Sequence, residues 1–457
     1  MNLNVVLIST YELGRQPFGL ASPAAWLQQA GANVSSQDLA VDPPDTEAIR
    51  RAGLVAFYMP MHMGTRMAVP LIEQVKRLNP AAHLCAFGLY APVCADYLVR
   101  LGVDTVLGGE FESGLVELAR QLSNGGSENG VQAMPPISLA RQQFLTPDRS
   151  GLPQLHRYAH LVTESGAHLP VGYTEASRGC KHLCRHCPIV PVYGGRFRVV
   201  QREVVLADIR QQVAAGARHI TFGDPDFLNG PGHALPLVQA LNEEFPSLTY
   251  DITVKVEHLA HNLRHLPLLK ETGCLFVTTA VESFDERILT IFDKRHTAAE
   301  FETVVNHCRS LELHLVPTFV PFTPWTSLAD YRRFLRELVR LDLVDQVSPI
   351  QCAIRLLIPP GSRLLELPET GAAIGLLDET RLSYIWRNPD PRVDALQADL
   401  EQMVQRCAGQ KLSRRETFRR IWERAFAGVG DAGGQVPFPN LPPASRFVPY
   451  LTEPWYC

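Results

Sequence analysis

Short apolar runs alternate with amphipathic helical stretches along the first 122 residues. The apolar runs are Val5–Ile8, Leu54–Tyr58, Leu84–Phe87 and Thr105–Leu107. The helical stretches between them include Ala24–Ala30, Met67–Leu78 and Gly114–Leu122. Apolar strands separated by helices are typical of a parallel sheet that is covered on both faces. The pattern therefore predicts a five-stranded, doubly wound, Rossmann-like α/β domain over residues 1–122, with ligands bound beyond the carboxyl ends of its strands.

A polar, glycine-rich stretch, Ser123–Gly130, has the composition of a flexible linker. The hydrophobic residues between positions 131 and 170 show no strong helical or strand periodicity. We therefore predict that residues 123–170 connect two domains.

The alternation of strands and helices resumes at residue 171, with more residues between successive strands. The predicted strands are Val171–Ala176, His219–Phe222, Tyr250–Val256, Leu275–Val281, Leu313–Val320 and Val347–Leu357. Helical stretches separate them, at Val204–Ala215, Leu263–Glu271, Ala298–Ser310 and Leu328–Leu341. Six βα units predict a partial (β/α)6 barrel over residues 171–365, with its chemistry at the carboxyl ends of the strands. Residues 366–457 are predicted to form a mixed extension with two charged helices, Val393–Ala408 and Arg414–Ala427, and a tail.

Composition narrows the function classes. The chain has 457 residues, of which 46% are hydrophobic and 20% charged, and its net charge is −4. This balance argues against a dedicated binder of nucleic acid or anionic membranes, because both require a positive field. The first residues lack the basic start of a signal peptide, and no apolar window is long enough to span a membrane. We expect a cytoplasmic protein with a small-molecule substrate and neither a nucleic-acid nor a membrane partner.

Three of the ten cysteines fall within eight residues, at Cys180, Cys184 and Cys187. They follow the first predicted barrel strand with the spacing C-x3-C-x2-C. Three thiolates suit an iron–sulfur cluster, and three ligands for four irons leave one iron open. The alternative is a zinc knuckle that adds His182 or His186. The six cysteines with apolar or helical neighbours are expected to be packing residues: Cys85, Cys94, Cys274, Cys308, Cys352 and Cys407.

This cysteine motif resembles that of the radical S-adenosyl-L-methionine (SAM) enzymes. The resemblance implies that Cys180, Cys184 and Cys187 hold a [4Fe–4S] cluster whose open iron binds SAM. It further implies reductive cleavage of SAM, usually to a 5′-deoxyadenosyl radical, with electrons from a flavodoxin- or ferredoxin-type donor. One departure is His186, where many members have an aromatic residue.

The family's Gly-Gly-Glu segment, which receives the SAM amino group, corresponds here to Gly223-Asp224-Pro225-Asp226. Gly223, Asp224 and Asp226 are therefore candidate SAM-binding residues, since a carboxylate suits an ammonium group. The alternative is an ordinary Asp-Pro turn after a strand.

Two later strands supply further SAM-binding candidates. Glu282 and Ser283 resemble the family's Gly-Val-Glu-Ser segment and could bond the SAM ribose or carboxylate. Ser283 with Glu286 also fits a capping box, and both interpretations can hold. Arg355 lies in an apolar strand, so it is expected to face a polar cavity or to be paired.

A doubly wound domain before such a barrel resembles the cobalamin-binding subgroup of the family, so cobalamin is a possible cofactor. The motif D-x-H-x-x-G is absent, because the first loop reads Thr10-Tyr11-Glu12-Leu13-Gly14. Gly108 and Gly109 are compatible with close approach of a ligand to the backbone. His62 is expected to be a packed or solvated histidine.

The last residues, Pro449–Cys457, resemble radical SAM proteins whose tails continue Cys-Cys-Ala-Glu-Pro or Cys-selenocysteine-Ala-Glu-Pro. Cys457 would then be a catalytic redox residue that precedes a selenocysteine whose codon was taken for a stop. The alternative is a chance terminal cysteine. The DNA beyond codon 457 distinguishes the two.

The sequence thus predicts a radical SAM enzyme. With cobalamin it would methylate carbon or phosphorus of a small molecule. Without cobalamin it would abstract hydrogen or transfer the aminocarboxypropyl group of SAM. The alternative from another class is a non-catalytic zinc or iron–sulfur module for interaction.

Overall fold

A computed structural model describes residues 3–125, 132–371, 373–428, 436–442 and 447–452. A six-stranded, all-parallel sheet forms the N-terminal part, in the order β2-β1-β3-β4-β5-β6. Its strands are β1 (Asn4–Ser9), β2 (Asn33–Asp38), β3 (Leu54–Tyr58), β4 (His83–Phe87), β5 (Thr105–Gly109) and β6 (Ile137–Ser138). In this topology the switch point lies between β1 and β3, and ligands bind beyond it.

Helices cover both faces of this sheet. Along β1, Val6 and Ile8 enter one hydrophobic core, while Val5 and Leu7 enter the other. This alternation confirms the predicted doubly wound, Rossmann-like fold. The main helices of this part are Phe18–Gln29, Thr46–Arg51, His62–Leu78, Ala95–Arg100 and Glu112–Ser123.

A curled seven-stranded sheet forms the second part, in the order β14-β13-β12-β11-β8-β7-β17. Its parallel strands are β8 (His168–Thr174), β11 (His219–Phe222), β12 (Thr249–Thr253), β13 (Cys274–Glu282) and β14 (His314–Phe319). Two antiparallel strands, β7 (His160–Val162) and β17 (Tyr450–Leu451), extend its edge. The main helices are Arg202–Ala214, Pro231–Glu244, Val256–His261, Leu266–Glu271, Glu286–Phe292, Ala298–Ser310 and Leu328–Arg340.

The predicted partial barrel is confirmed, although its sixth strand is reduced. Where Val347–Leu357 was expected to be extended, Pro349–Cys352 forms a 3-10 helix, and a single bridge joins Phe322 to Arg355. Pro349 favours a helical start because its fixed φ suits the first helical position and it has no N–H to leave unpaired. The residues predicted as a connector supply β6 to the first sheet and β7 to the second.

The C-terminal extension contacts both the barrel and the N-terminal part. A hairpin of β15 (Ile374–Asp378) and β16 (Ser383–Trp386) precedes helices Pro391–Gly409 and Arg414–Ala425. Leu382, in its turn, is buried in the core of the N-terminal part. Among the described residues, none of the helices combines the length and apolar composition that a bilayer crossing requires.

Candidate functional site

One cavity of about 1690 Å³ separates the carboxyl edges of the two sheets. Single-ligand pockets usually measure about 300–1,000 Å³, so this space can hold more than one ligand. From the N-terminal part it is lined by Glu12, Tyr58, Met61, His62, Met63, Tyr90, Gly109 and Phe111. From the barrel and the extension it is lined by Cys180, Cys184, Cys187, Asp226, Lys255, Glu282, Arg355 and Trp386, among others.

The cysteine loop follows a short strand, β9 (Ser177–Gly179), which pairs with β10 (Phe197–Val199). Gly179 has φ +72°, and a Cβ there would lie 2.3 Å from the ring of Tyr193. The chain therefore turns sharply into Cys180. Cys184 is buried, and Cys180 and Cys187 are half-buried.

Burial raises the pKa of two of the three thiols. Burial, then neighbouring Asp226, raises the pKa of Cys180 to about 11. Burial, then neighbouring Cys184, raises the pKa of Cys187 to about 12. Buried thiols become thiolates when a bound cation compensates their charge, so this donor set fits a metal cluster.

The two histidines of the loop face other side chains. His182 Nε2 lies 3.0 Å from His258 Nε2, and its Nδ1 lies 3.2 Å from Lys255 Nζ. His186 Nε2 lies 3.1 Å from Glu282 Oε1. A zinc knuckle through His182 would therefore have to break one of these contacts, whereas His186 Nδ1 has no hydrogen-bond partner among the described residues. Another set of three possible metal ligands is already close together. The ligand atoms of Cys180, His182 and Asp226 all lie within 4.8 Å of one another.

The two aspartates after β11 differ in their partners. Asp224 accepts hydrogen bonds from Ala176 N at 2.9 Å and from the hydroxyl of Ser177, and burial raises its pKa to about 7. It therefore holds the backbone that leads into β9.

The two oxygens of Asp226 have different surroundings. Its Oδ1 caps Leu228 N at 3.1 Å. Its Oδ2 has no hydrogen-bond partner among the described residues, although it lies 2.7 Å from His258 Nδ1. Gly223 lines the cavity, and a Cβ there would lie 1.8 Å from the Tyr173 hydroxyl, so packing accounts for the glycine.

Glu282 ends β13 with a left-handed backbone, at φ +70°. Its Oε1 accepts hydrogen bonds from Lys294 Nζ at 3.2 Å and His186 Nε2 at 3.1 Å. Burial favours the neutral acid, but the Lys294 charge and the His186 bond outweigh it and lower the pKa of Glu282 to about 2. Glu282 is thus an ionised carboxylate on the cavity wall.

Ser283 and Arg355 have partners within the protein. Ser283 Oγ accepts from Asp285 N, while Asp285 itself caps the helix from Glu286, so the expected capping box at Ser283 is wrong. Arg355 lines the cavity, lies 2.6 Å from Asp394 Oδ1, and has its guanidinium carbon 3.4 Å from the Trp386 ring centroid. It holds the extension against the barrel.

The two glycines at the end of β5 are explained by packing. A Cβ on Gly108 would lie 2.4 Å from Pro92 Cγ, and one on Gly109 2.2 Å from Ser138 O. His62 Nε2 lies 2.5 Å from Arg381 O, so one nitrogen of this imidazole is hydrogen-bonded within the protein. Glu12, in the loop after β1, is buried, and its Oε2 has no hydrogen-bond partner among the described residues.

The buried carboxylates Glu110 and Glu112 were not predicted as site residues; they follow β5 and contact Arg178 beside the cysteine loop. Two glutamates in an apolar strand-to-helix turn were the available signal. Cys457 lies outside the described residues.

Residues 174–337 match the family model of the radical SAM superfamily. The chain is 24% identical over 326 residues to a hopanoid C-3 methylase from Methylococcus capsulatus, covering 68% of this chain. It spans 62% of the length of that methylase.

Two proteins of known structure share the fold. The methyltransferase TsrM from Kitasatospora setae, solved with tryptophan and a SAM analogue, has a TM-score of 0.66 at 17% identity and covers 92% of this chain and 100% of its own. Another structure of TsrM contains cobalamin and a [4Fe–4S] cluster. The cobalamin-dependent radical SAM enzyme OxsB, with aqua-cobalamin and SAM, has a TM-score of 0.65 at 13% identity and covers 94% of this chain and 69% of its own.

Proposed function

We propose that this chain, whose residues 174–337 form a domain of the radical SAM superfamily, is a cobalamin-dependent enzyme that methylates a small molecule. The observation that carries the proposal is the large cavity that joins the three cysteines to the switch point of the N-terminal sheet. TsrM and OxsB, which share this arrangement of domains, are cobalamin-dependent or cobalamin-bound in the structures described above.

The thiols of Cys180, Cys184 and Cys187 would hold the [4Fe–4S] cluster. When bound, the cluster supplies the electron that cleaves SAM. Asp226 Oδ2, which lies near Cys180 and 2.7 Å from His258 Nδ1, would accept the SAM ammonium group, whereas Asp224 would shape the loop. Glu282 would accept from the SAM hydroxyls, and Lys294 would keep it ionised.

The loops after β1 and β3 would form the cobalamin side of the cavity. When bound, cobalamin supplies a cobalt centre for methyl transfer. Besides apolar residues, these loops contribute Glu12 and Arg15 to the lining, and Nε2 of His62 is bonded to Arg381 O. We therefore expect cobalamin to bind without an imidazole ligand from this chain.

Metal and product analysis of anaerobically reconstituted protein tests the proposal. We expect about four irons and four sulfides per chain, consumption of SAM on reduction, and binding of hydroxocobalamin. Cys184→Ala should lose the iron and SAM cleavage, whereas Cys308→Ala, a buried core cysteine in the same barrel, should keep both. A Cys184→Ala protein that still cleaves SAM would refute the assignment.

Two other candidate functions give different results in the same assay. The triad of Cys180, His182 and Asp226 favours a zinc module, which would show one zinc per chain and no SAM turnover. Transfer of the aminocarboxypropyl group would release methylthioadenosine rather than 5′-deoxyadenosine or S-adenosylhomocysteine. Cys457 is proposed as a catalytic redox residue on the resemblance of its tail alone, and Cys457→Ser with SAM-product analysis tests it.

A further inference from the structure

We propose that Arg178 is a positioning residue that fixes the cysteine loop to the N-terminal domain, so that cluster binding depends on carboxylates across the domain interface. The inference rests on the proposed cluster at Cys180, Cys184 and Cys187. Arg178 lies two residues before Cys180, in β9, and borders the cavity.

The guanidinium of Arg178 meets three carboxylates. Its Nη2 lies 2.7 Å from Glu112 Oε1, its Nη1 3.4 Å from Glu110 Oε2, and its Nε 2.7 Å from Glu175 Oε2. The side chains of Glu110 and Glu112 are fully buried, and that of Arg178 is 6% exposed. Charge pairs withdrawn from water in this way are screened little and are geometrically specific.

Three aromatic rings surround the same guanidinium. Its carbon lies 5.6 Å from the ring centroid of Phe18, 5.3 Å from that of Phe111 and 5.0 Å from that of Phe144. A planar guanidinium can stack on rings and bond carboxylates in its plane at the same time, which a lysine ammonium cannot do. The site is therefore built for arginine.

On the N-terminal side of this contact, further hydrogen bonds hold Glu112 in place. Glu112 opens the helix Glu112–Ser123, and its carboxylate also accepts from Ser22 Oγ at 2.7 Å and Gln142 Nε2 at 2.9 Å. A continuous chain of hydrogen bonds therefore runs from a helix of the N-terminal domain to the backbone that presents Cys180. Moving the loop requires breaking a buried ion pair.

Iron release from the reconstituted holoprotein tests this coupling. We expect Arg178→Met and Glu112→Gln to lose iron to a chelator about ten- to a hundredfold faster than the wild type, as outer-sphere substitutions at metal sites do. The electron paramagnetic resonance spectrum of the reduced cluster, with and without SAM, should change in both variants. Glu112→Gln is the decisive variant, because it leaves Arg178 paired with Glu110 and Glu175 and does not touch the loop.

Arg149→Met is the matched control. Arg149 is also buried, with its Nε 2.7 Å from Asp208 Oδ1 and its Nη1 2.8 Å from Gln16 Oε1, but it lies outside the cysteine loop. The control should be destabilised yet release iron at the wild-type rate. The inference is overturned if Glu112→Gln keeps the wild-type rate and spectrum, or if Arg149→Met releases iron equally fast. A wild-type protein that binds no four-iron cluster overturns the proposed function instead.

Discussion

The ammonium of Lys294 lies 3.2 Å from the carboxylate of Glu282, and both side chains are more than nine-tenths buried. The pair stands on the cavity wall beside the cysteine loop. Each charge is stable there because the other is present, since an isolated ion in such a site would be neutralised or expelled. The Lys294 side chain, together with His186, therefore keeps a proposed SAM-binding group ionised.

Lys294→Met should destabilise the protein by about 3–5 kcal/mol, because it leaves Glu282 as an uncompensated buried charge. Thermal denaturation measures the loss. Arg340→Met is the control, since Arg340 is half-exposed and pairs with Glu302 and Glu337, and a surface pair contributes only about 0–1 kcal/mol. Equal losses in the two variants would contradict the role of Lys294.

Glu110 predicts a pH dependence of stability. Burial, opposed by Arg178, raises the pKa of Glu110 to about 7 from 4.5. Below pH 4.5 the carboxyl is protonated in both states. Between pH 4.5 and 7 the unfolded chain releases the proton first, so stability falls as the pH rises, by about 3 kcal/mol in full.

The variant Glu110→Gln lacks this titration, so it should lose less stability than the wild type between pH 5 and pH 8. Urea midpoints of both proteins at the two pH values give the comparison, and titrations of other groups cancel in the difference. Parallel midpoints at both pH values would show that Glu110 keeps an ordinary pKa.

We expect substitution of Asp226 to weaken SAM binding and substitution of Asp224 to lower the stability of the protein. Asp226→Asn removes the proposed acceptor of the SAM ammonium group but keeps an oxygen that can cap Leu228 N. We therefore expect SAM affinity to fall about tenfold or more, with a smaller loss of melting temperature than Asp224→Asn causes. Asp224→Asn disturbs the bonds to Ala176 and Ser177, so it should lower the melting temperature. Equilibrium dialysis of SAM against both holoproteins checks this, and the reverse pattern would assign the SAM ammonium to Asp224.

Much of the fold could be predicted because local signals agree with tertiary structure. Helix Ala298–Ser310 was bounded correctly, since Thr297 and Glu300 form a capping box. Strand His219–Phe222 was also bounded correctly by its short apolar run. The sixth barrel strand was overpredicted, because an apolar run does not reveal whether a neighbouring strand offers hydrogen bonds along its length.

The candidate site was only partly predictable for a related reason. The cysteine spacing identifies the loop, because its ligands are close in sequence. The partners that distinguish Asp224 from Asp226 are distant in sequence, as is the contact of Arg178 with Glu112. Such pairings arise from topology, and a charge in an apolar run indicates only that some partner exists.

Two leucines of the hairpin formed by β15 and β16 should contribute very differently to stability. Leu382 is 2% exposed and packs into the N-terminal core, whereas Leu376, on the same hairpin, is 86% exposed. Leu382→Ala should destabilise the protein by about 2–5 kcal/mol, because it removes buried apolar contacts and leaves a cavity. Leu376→Ala should change stability by less than about 0.5 kcal/mol. Thermal denaturation of both variants tests the contrast, and comparable small effects would show that the hairpin is not anchored in that core.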